Sequence, residues 1–199
     1  MKSALLLSGG LDSAAIAWWK RPELAIFINY GQRPALAEGR AAEAVAAACG
    51  IEFLTITIDC SILGAGQMAG REQLSLAPTP EWWPFRNQLL VTIAAAAALR
   101  RDVDHLMIGT IAEDAANGDG TRAFVEAMDV LLQSQEGVLR FSAPAIDMTA
   151  PELLQRSGAP QEVLGWCHSC FVSDIPCMKC RGCAKQLKVL EYTGRRWAG

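Results

Sequence analysis

Two groups of residues in this chain have the types and spacing to do chemistry. The first is Ser8-Gly9-Gly10-Leu11-Asp12-Ser13, which follows the apolar run Ala4-Leu5-Leu6-Leu7. An apolar strand that breaks into a glycine turn and then a helix leaves backbone N–H groups unpaired at the helix start. The helix dipole favours negative charge at the same point, so the turn suits an anion. The glycines let the backbone approach a phosphate closely. Ser8, Gly9, Gly10, Leu11, Asp12 and Ser13 are therefore candidate phosphate ligands, and Asp12 and Ser13 also suit the start of a helix. A plain strand-to-helix turn would need the glycines but not the whole string. No Gly-Lys-Ser/Thr follows, so this is not a Walker-type loop.

The second group is cysteine-rich. Five of seven cysteines fall at Cys167, Cys170, Cys177, Cys180 and Cys183. Two-residue gaps let neighbouring thiolates reach one ion at about 2.3 Å, and four thiolates close a tetrahedral site. Cys170, Cys177, Cys180 and Cys183 are the candidate Zn²⁺ ligands, with Cys167 and His168 in reserve. A closed four-cysteine site leaves no position for water, so its role is structural. A redox dithiol, buried free thiols and an iron–sulfur cluster are the competing readings.

The elements that must position these groups alternate. Strands are expected at 2–7, 24–29, 53–58 and 105–109, and helices at 12–20, 34–49, 87–101 and 121–135. This is the rhythm of an α/β fold, a doubly wound parallel sheet with helices on both faces. Residues 59–85 interrupt it with a long loop. Residues 141–148 read as extended, 151–156 as a short helix and 184–192 as a closing basic helix. Residues 1–150 are expected to form the nucleotide-binding domain, and 151–199 a helical zinc-binding appendage.

Composition excludes several classes. The 199 residues are 51% hydrophobic and 20% charged, with net charge −3. That is a compact-domain composition with no general attraction to nucleic acid. The apolar run 89–99 is too short to span a membrane, and 4–7 is too short for the core of a secretory signal. A cytoplasmic protein with no membrane partner is expected. The basic residues Lys185, Lys188, Arg195 and Arg196 read as a solvated helix face and end.

Taken together, the opening loop resembles that of the N-type ATP pyrophosphatases, which have an adenine nucleotide alpha hydrolase-like fold. The loop and the cysteines together resemble the 7-cyano-7-deazaguanine synthase family of the queuosine-precursor pathway. Three further stretches carry that resemblance: Asn29-Tyr30-Gly31-Gln32-Arg33, Pro84-Phe85-Arg86-Asn87 and Ser169-Cys170-Phe171. It implies ATP and Mg²⁺ as well as Zn²⁺, and adenylation of the carboxylate of 7-carboxy-7-deazaguanine. Amidation by ammonia and dehydration to the nitrile would follow. It implies a homodimer, Arg33 and Asn87 as further nucleotide ligands, Arg86 as a catalytic charge partner, and Asp119 and Phe124 as substrate contacts. Asn87 also suits a helix cap, Phe124 a core position, and Arg33 and Arg86 surface ion pairs.

Two stretches depart from the family pattern. Ala150, in Thr149-Ala150-Pro151-Glu152, stands where the family carries a lysine. Asn117-Gly118-Asp119-Gly120 replaces a Tyr-Pro-Asp-Cys segment. The departures leave the end point open. It is the nitrile, the amide, the adenylate, or transfer of the activated deazaguanine to another amine, such as a protein acceptor in a modification or antiphage defence system. The other readings are another pyrophosphate-loop enzyme such as a tRNA thiolase, a nucleotide-binding partner without catalysis, and a zinc-ribbon nucleic-acid binder.

Overall fold

A computed structural model describes residues 2–197, with side chains described for 2–189 and 191. Strands β1 (Ser3–Leu6), β2 (Leu24–Asn29), β3 (Glu52–Thr57), β4 (His105–Met107) and β5 (Arg140–Ser142) form one sheet in the order β3-β2-β1-β4-β5. Every neighbouring pair is parallel. The period-2 geometry of the strands sorts their side chains into two cores. Leu5, Leu7, Ala25 and Phe27 face one layer, and Ala4, Leu6, Leu24 and Ile26 face the other.

The first layer contains α1 (Leu11–Lys20), α2 (Ala35–Cys49), α6 (Ala150–Ser157) and the single turn α7 (Gln161–Leu164). The second contains α4 (Arg86–Leu99) and α5 (Arg122–Gln133). A short helix α3 (Gly66–Ala69) and a long final helix α8 (Arg181–Trp197) complete the chain. Leu153, Val163, Cys167 and Val189 pack into the same core as α1 and α2. The segment read as an appendage is thus joined to the sheet through one continuous apolar layer.

Element starts and stops follow local chemistry. Gly50 ends α2 at φ 68°, a left-handed stop that glycine adopts without strain. Thr149 and Glu152 cap α6 reciprocally, with Pro151 in its first turn. The segment 141–148 is extended only in part. Past Ser142 it folds into turns in which Ile146 N–H donates to Ala143 and Met148 N–H to Ala145. Pro144 supplies no ladder donor there. The final helix begins at Arg181, three residues before the expected start, because Cys180 and Cys183 are held at its first turn. The helix runs past the expected end at Tyr192 to Trp197, and the side chains of Arg195 and Arg196 lie outside the residues whose side chains are described.

Strands β1 and β4 are neighbours, and the chain leaves them in opposite directions across the sheet. A crevice beyond the carboxyl ends of such a strand pair is the usual ligand site in this architecture. Ser8 follows β1, and Gly109 follows β4. A Cβ at Gly109 would stand 3.1 Å from the Ser13 Cα, so glycine lets the two loops close on each other.

Candidate active site

The crevice opens into a cavity of about 650 Å³. That is the range of cofactor and ligand pockets. Ser8, Gly10, Leu11, Asp12 and Ser13 form one wall. The Ser13 hydroxyl donates to the Gly10 carbonyl at 3.0 Å and lies 3.1 Å from the Ser8 hydroxyl. Gly10 occupies the cap position of α1 with no side chain bonded there, so among the described residues the first N–H groups of α1 have no side-chain acceptor. Gly9 does not reach the cavity. At φ 79° it lies against α2, where a Cβ would come within 2.5 Å of the Glu38 carbonyl. Its own carbonyl accepts the His168 N–H at 2.9 Å, which ties the loop to the cysteine segment.

Asp12 is partly buried and its carboxylate meets the Lys185 ammonium at 2.6 Å. Burial raises its pKa above the ordinary value, and Glu113 and Asp114 add to the rise, against the pull of Lys185. Lys185 and Lys188 both line the cavity, so the face read as solvated is a wall of the site.

Arg86 opens α4 and also lines the cavity. The preceding Phe85 takes a left-handed φ of 53°, which turns the chain into the helix. The Arg86 guanidinium donates to the Asn87 side-chain oxygen at 3.2 Å and lies 3.2 Å from the Met68 sulfur. Among the described residues it makes no ion pair. Tyr30 and, beyond ion-pair distance, the carboxylates of Asp119, Asp114 and Glu38 act on its charge, and its remaining donors suit an anionic ligand. Asn87 does not cap α4 with its side chain. It is the second residue of the helix, where its N–H donates to the Asp119 carboxylate at 3.1 Å and its amide to the Asp119 carbonyl at 3.0 Å. Asp119 thereby fixes the start of α4 and still lines the cavity.

Two residues singled out in the sequence lie elsewhere. Arg33 is exposed and packs along Gly70, away from the cavity lining. Phe124 packs from α5 against the second core.

The cavity also contains groups the sequence did not single out. Glu38 accepts from the Gln32 amide at 2.8 Å, and burial pushes its carboxyl up to about 7. The signal was present: Glu38 precedes Ala41, Ala42 and Val45 at helical spacing, an acid on a buried stripe. Glu81, Trp82 and Trp83 line the cavity from the long loop, and Trp83 stacks edge-on to Tyr30 at 4.9 Å. Only folding of 59–85 over the sheet edge brings them there.

Beside the cavity, the sulfurs of Cys170, Cys177, Cys180 and Cys183 all lie within 4.8 Å of one another. Cys177 and Cys183 are 4.0 Å apart, as are Cys170 and Cys180. Metal–sulfur bonds of about 2.3 Å in a tetrahedron need sulfur separations of about 3.8 Å. The Cys180 N–H points at the Cys177 sulfur, and the Cys183 N–H at the Cys180 sulfur, which favours thiolates. The donor set fits a metal ion. Cys167 is not part of it. It is buried in the core, where desolvation pushes its thiol up to about 12. The His168 ring instead meets the Ser173 carbonyl at 2.9 Å.

Residues 2–194 match the family model of the queuosine biosynthesis protein QueC. The chain belongs to the QueC family. Its relatives include the 7-cyano-7-deazaguanine synthase of Methanopyrus kandleri, 32% identical over 221 residues that cover 96% of this chain and 95% of the relative. That of Methanosarcina barkeri is 28% identical over 220 residues, covering 98% and 95%. The chain is thus a divergent enzyme of the QueC family. The solved structure of the U34-tRNA thiolase NcsA from Methanococcus maripaludis, with its [4Fe-4S] cluster, has a similar fold. Its TM-score is 0.54 at 18% identity, over 98% of this chain and 66% of that one.

Proposed function

We propose that this QueC-family chain is an ATP-dependent carbon–nitrogen ligase acting on 7-carboxy-7-deazaguanine. The observation that carries this reading is the cavity itself. It gathers the first N–H groups of α1 and Arg86, a guanidinium that makes no ion pair among the described residues, around one space. The names of the family relatives support the substrate class.

In the first step a substrate carboxylate oxygen attacks the α-phosphorus of ATP. The α–β bridge breaks, pyrophosphate leaves, and the acyl adenylate remains. Ammonia attacks the acyl carbon, AMP departs and an amide forms. A second activation at the amide oxygen, followed by loss of AMP and protons, gives the nitrile. The protein's contribution is charge stabilisation and alignment. The loop N–H groups and the Ser8 and Ser13 hydroxyls cradle the pyrophosphate. Arg86 meets charge on the α-phosphate and on the substrate carboxylate. Asp119 holds α4 in register and offers an acceptor to the deazaguanine.

Two metal ions belong to this reading. Asp12, Glu113 and Asp114 are hard oxygen donors on one wall, which suits Mg²⁺ held by one or two carboxylates and by phosphates. When bound, Mg²⁺ neutralises phosphate charge. Cys170, Cys177, Cys180 and Cys183 would hold Zn²⁺ in a structural role. A homodimer in the cytoplasm is part of the same proposal.

The test is incubation with ATP, Mg²⁺, ammonia and 7-carboxy-7-deazaguanine, with products resolved by mass spectrometry. Nitrile with AMP is the expected result. Amide alone would assign a shorter reaction, and a conjugate formed only with an added amine acceptor would assign group transfer. Absence of AMP and pyrophosphate with every acceptor would remove the ligase reading.

A further inference from the structure

A loop that binds polyphosphate needs positive charge near it, yet residues 8–13 contain no cation and one acid, Asp12. Helix α6 does not supply one either. Ala150, Pro151 and Leu154 face the cavity from α6 and carry no charge. Helix α8 behaves oppositely. Arg181, Lys185 and Lys188 stand at i, i+4 and i+7, the spacing that stacks side chains on one helix face, and all three line the cavity.

Their pairings differ. Arg181 is engaged by Glu81 of the long loop at 3.3 Å. Lys185 reaches the loop itself, through Asp12 at 2.6 Å. The Asp12 side chain is 21% exposed and that of Lys185 33%, so the pair is only partly screened by water. An acid within an anion-binding loop has a simple purpose in this geometry. It cannot attract phosphate, but it holds an ammonium at the helix start where phosphate would sit. The ammonium has three donors, so it bonds Asp12 and phosphate oxygens together. Its position is set from behind: Cys183 lies two residues before it, within the cysteine cluster, and the Ala184 N–H closes the first turn on Cys180.

We propose that Lys185 is the phosphate-chain cation of this site, carried by α8 and aimed by Asp12 at the polyphosphate of a nucleoside triphosphate. The proposal rests on the reading that the 8–13 loop binds ATP. The chemistry recognised is the pyrophosphoryl group, not the base.

Calorimetric titration of the full-length, metal-replete protein with ATP, with inorganic pyrophosphate and with adenosine tests it. Lys185→Ala and Lys185→Gln should weaken ATP and pyrophosphate by about tenfold to a hundredfold. Adenosine affinity should stay within about twofold of the parent, and Lys185→Arg should restore most of the pyrophosphate affinity. Gln preserves a hydrogen-bonding partner for Asp12, so it reports even where the Ala variant folds poorly. Pyrophosphate binding at parental strength in the Ala or Gln variant would overturn the proposal alone. So would a loss of adenosine as large as the loss of pyrophosphate. A parent protein that binds neither ATP nor pyrophosphate would overturn the ATP reading beneath it.

Discussion

The Lys185 ammonium and the Asp12 carboxylate meet at 2.6 Å across 173 positions of sequence. The contact joins the end of the chain to its opening loop and makes one wall of the cavity from both. Activity should therefore respond to changes at either end.

Asp12 is the loop's own charged group, and its neutral variant separates charge from shape. Asp12→Asn should lower pyrophosphate release by about a hundredfold or more with an intact fold. A coupled phosphate assay, with circular dichroism on the same samples, checks both parts. Near-parental turnover would remove Asp12 from the machinery.

Arg86 presents a fork rather than a point charge. Arg86→Ala should cost about a hundredfold or more in the rate of AMP formation, and Arg86→Lys should recover only a fraction of it. Burst measurements of AMP formed in the first turnover separate this effect from slow product release. If the Lys variant matches the parent, bidentate contact is not used.

Gly9 packs closely against α2. Its φ is 79°, and a Cβ added there would stand 2.5 Å from the Glu38 carbonyl, which leaves no room for a side chain. Gly9→Ala should destabilise the protein by about 2–4 kcal/mol. Urea denaturation gives the value, and a change under about 0.5 kcal/mol would contradict the geometry.

Glu38 makes stability depend on pH. Its carboxyl titrates near 7 in the folded protein, against 4.5 for the ordinary group. Below about pH 4.5 both states carry the proton and its contribution is complete. As pH rises through 7 the folded state must ionise an enclosed acid, and that contribution is lost. The loss is on the order of 1–3 kcal/mol. Denaturation of the parent and of Glu38→Gln at about pH 5 and about pH 8 should show a falling difference between them. Parallel pH profiles would place the carboxyl in water.

The four-cysteine cluster should make the fold metal-dependent. Metal analysis should find about one ion per chain, and Cys180→Ser should lower both occupancy and melting temperature. Because Cys183 anchors the turn that carries Lys185, the same variant should weaken pyrophosphate binding. An unchanged melting temperature after chelation would show that the cluster does not staple α8.

Much of this is legible in the residues because the signals are local. Residues 3–13 need only their own order to make a strand, a turn and a helix start. Cys170, Cys177, Cys180 and Cys183 announce a metal site through short spacings. Arg86 is legible through its immediate neighbours in the chain. Lys185 and Lys188 read as a solvated face; Lys188 is exposed, but both line the cavity and Lys185 meets Asp12, since helical spacing groups side chains without saying what the face meets. The expected roles of Arg33 and Phe124 rest on neighbouring motif residues, and tertiary packing puts both side chains outside the cavity lining.

The sequence by itself determined the alternation of elements, the glycine turn at the start of α1 and the cysteine cluster, because each depends on contacts within a few residues. Tertiary structure decided which charges share the cavity. Strand order brings β1 beside β4, the long loop carries Trp83 and Glu81 inward, and α8 returns across the first loop to set Lys185 on Asp12. Coulomb energy and desolvation depend on distance in space, and no local pattern encodes a distance across 173 residues.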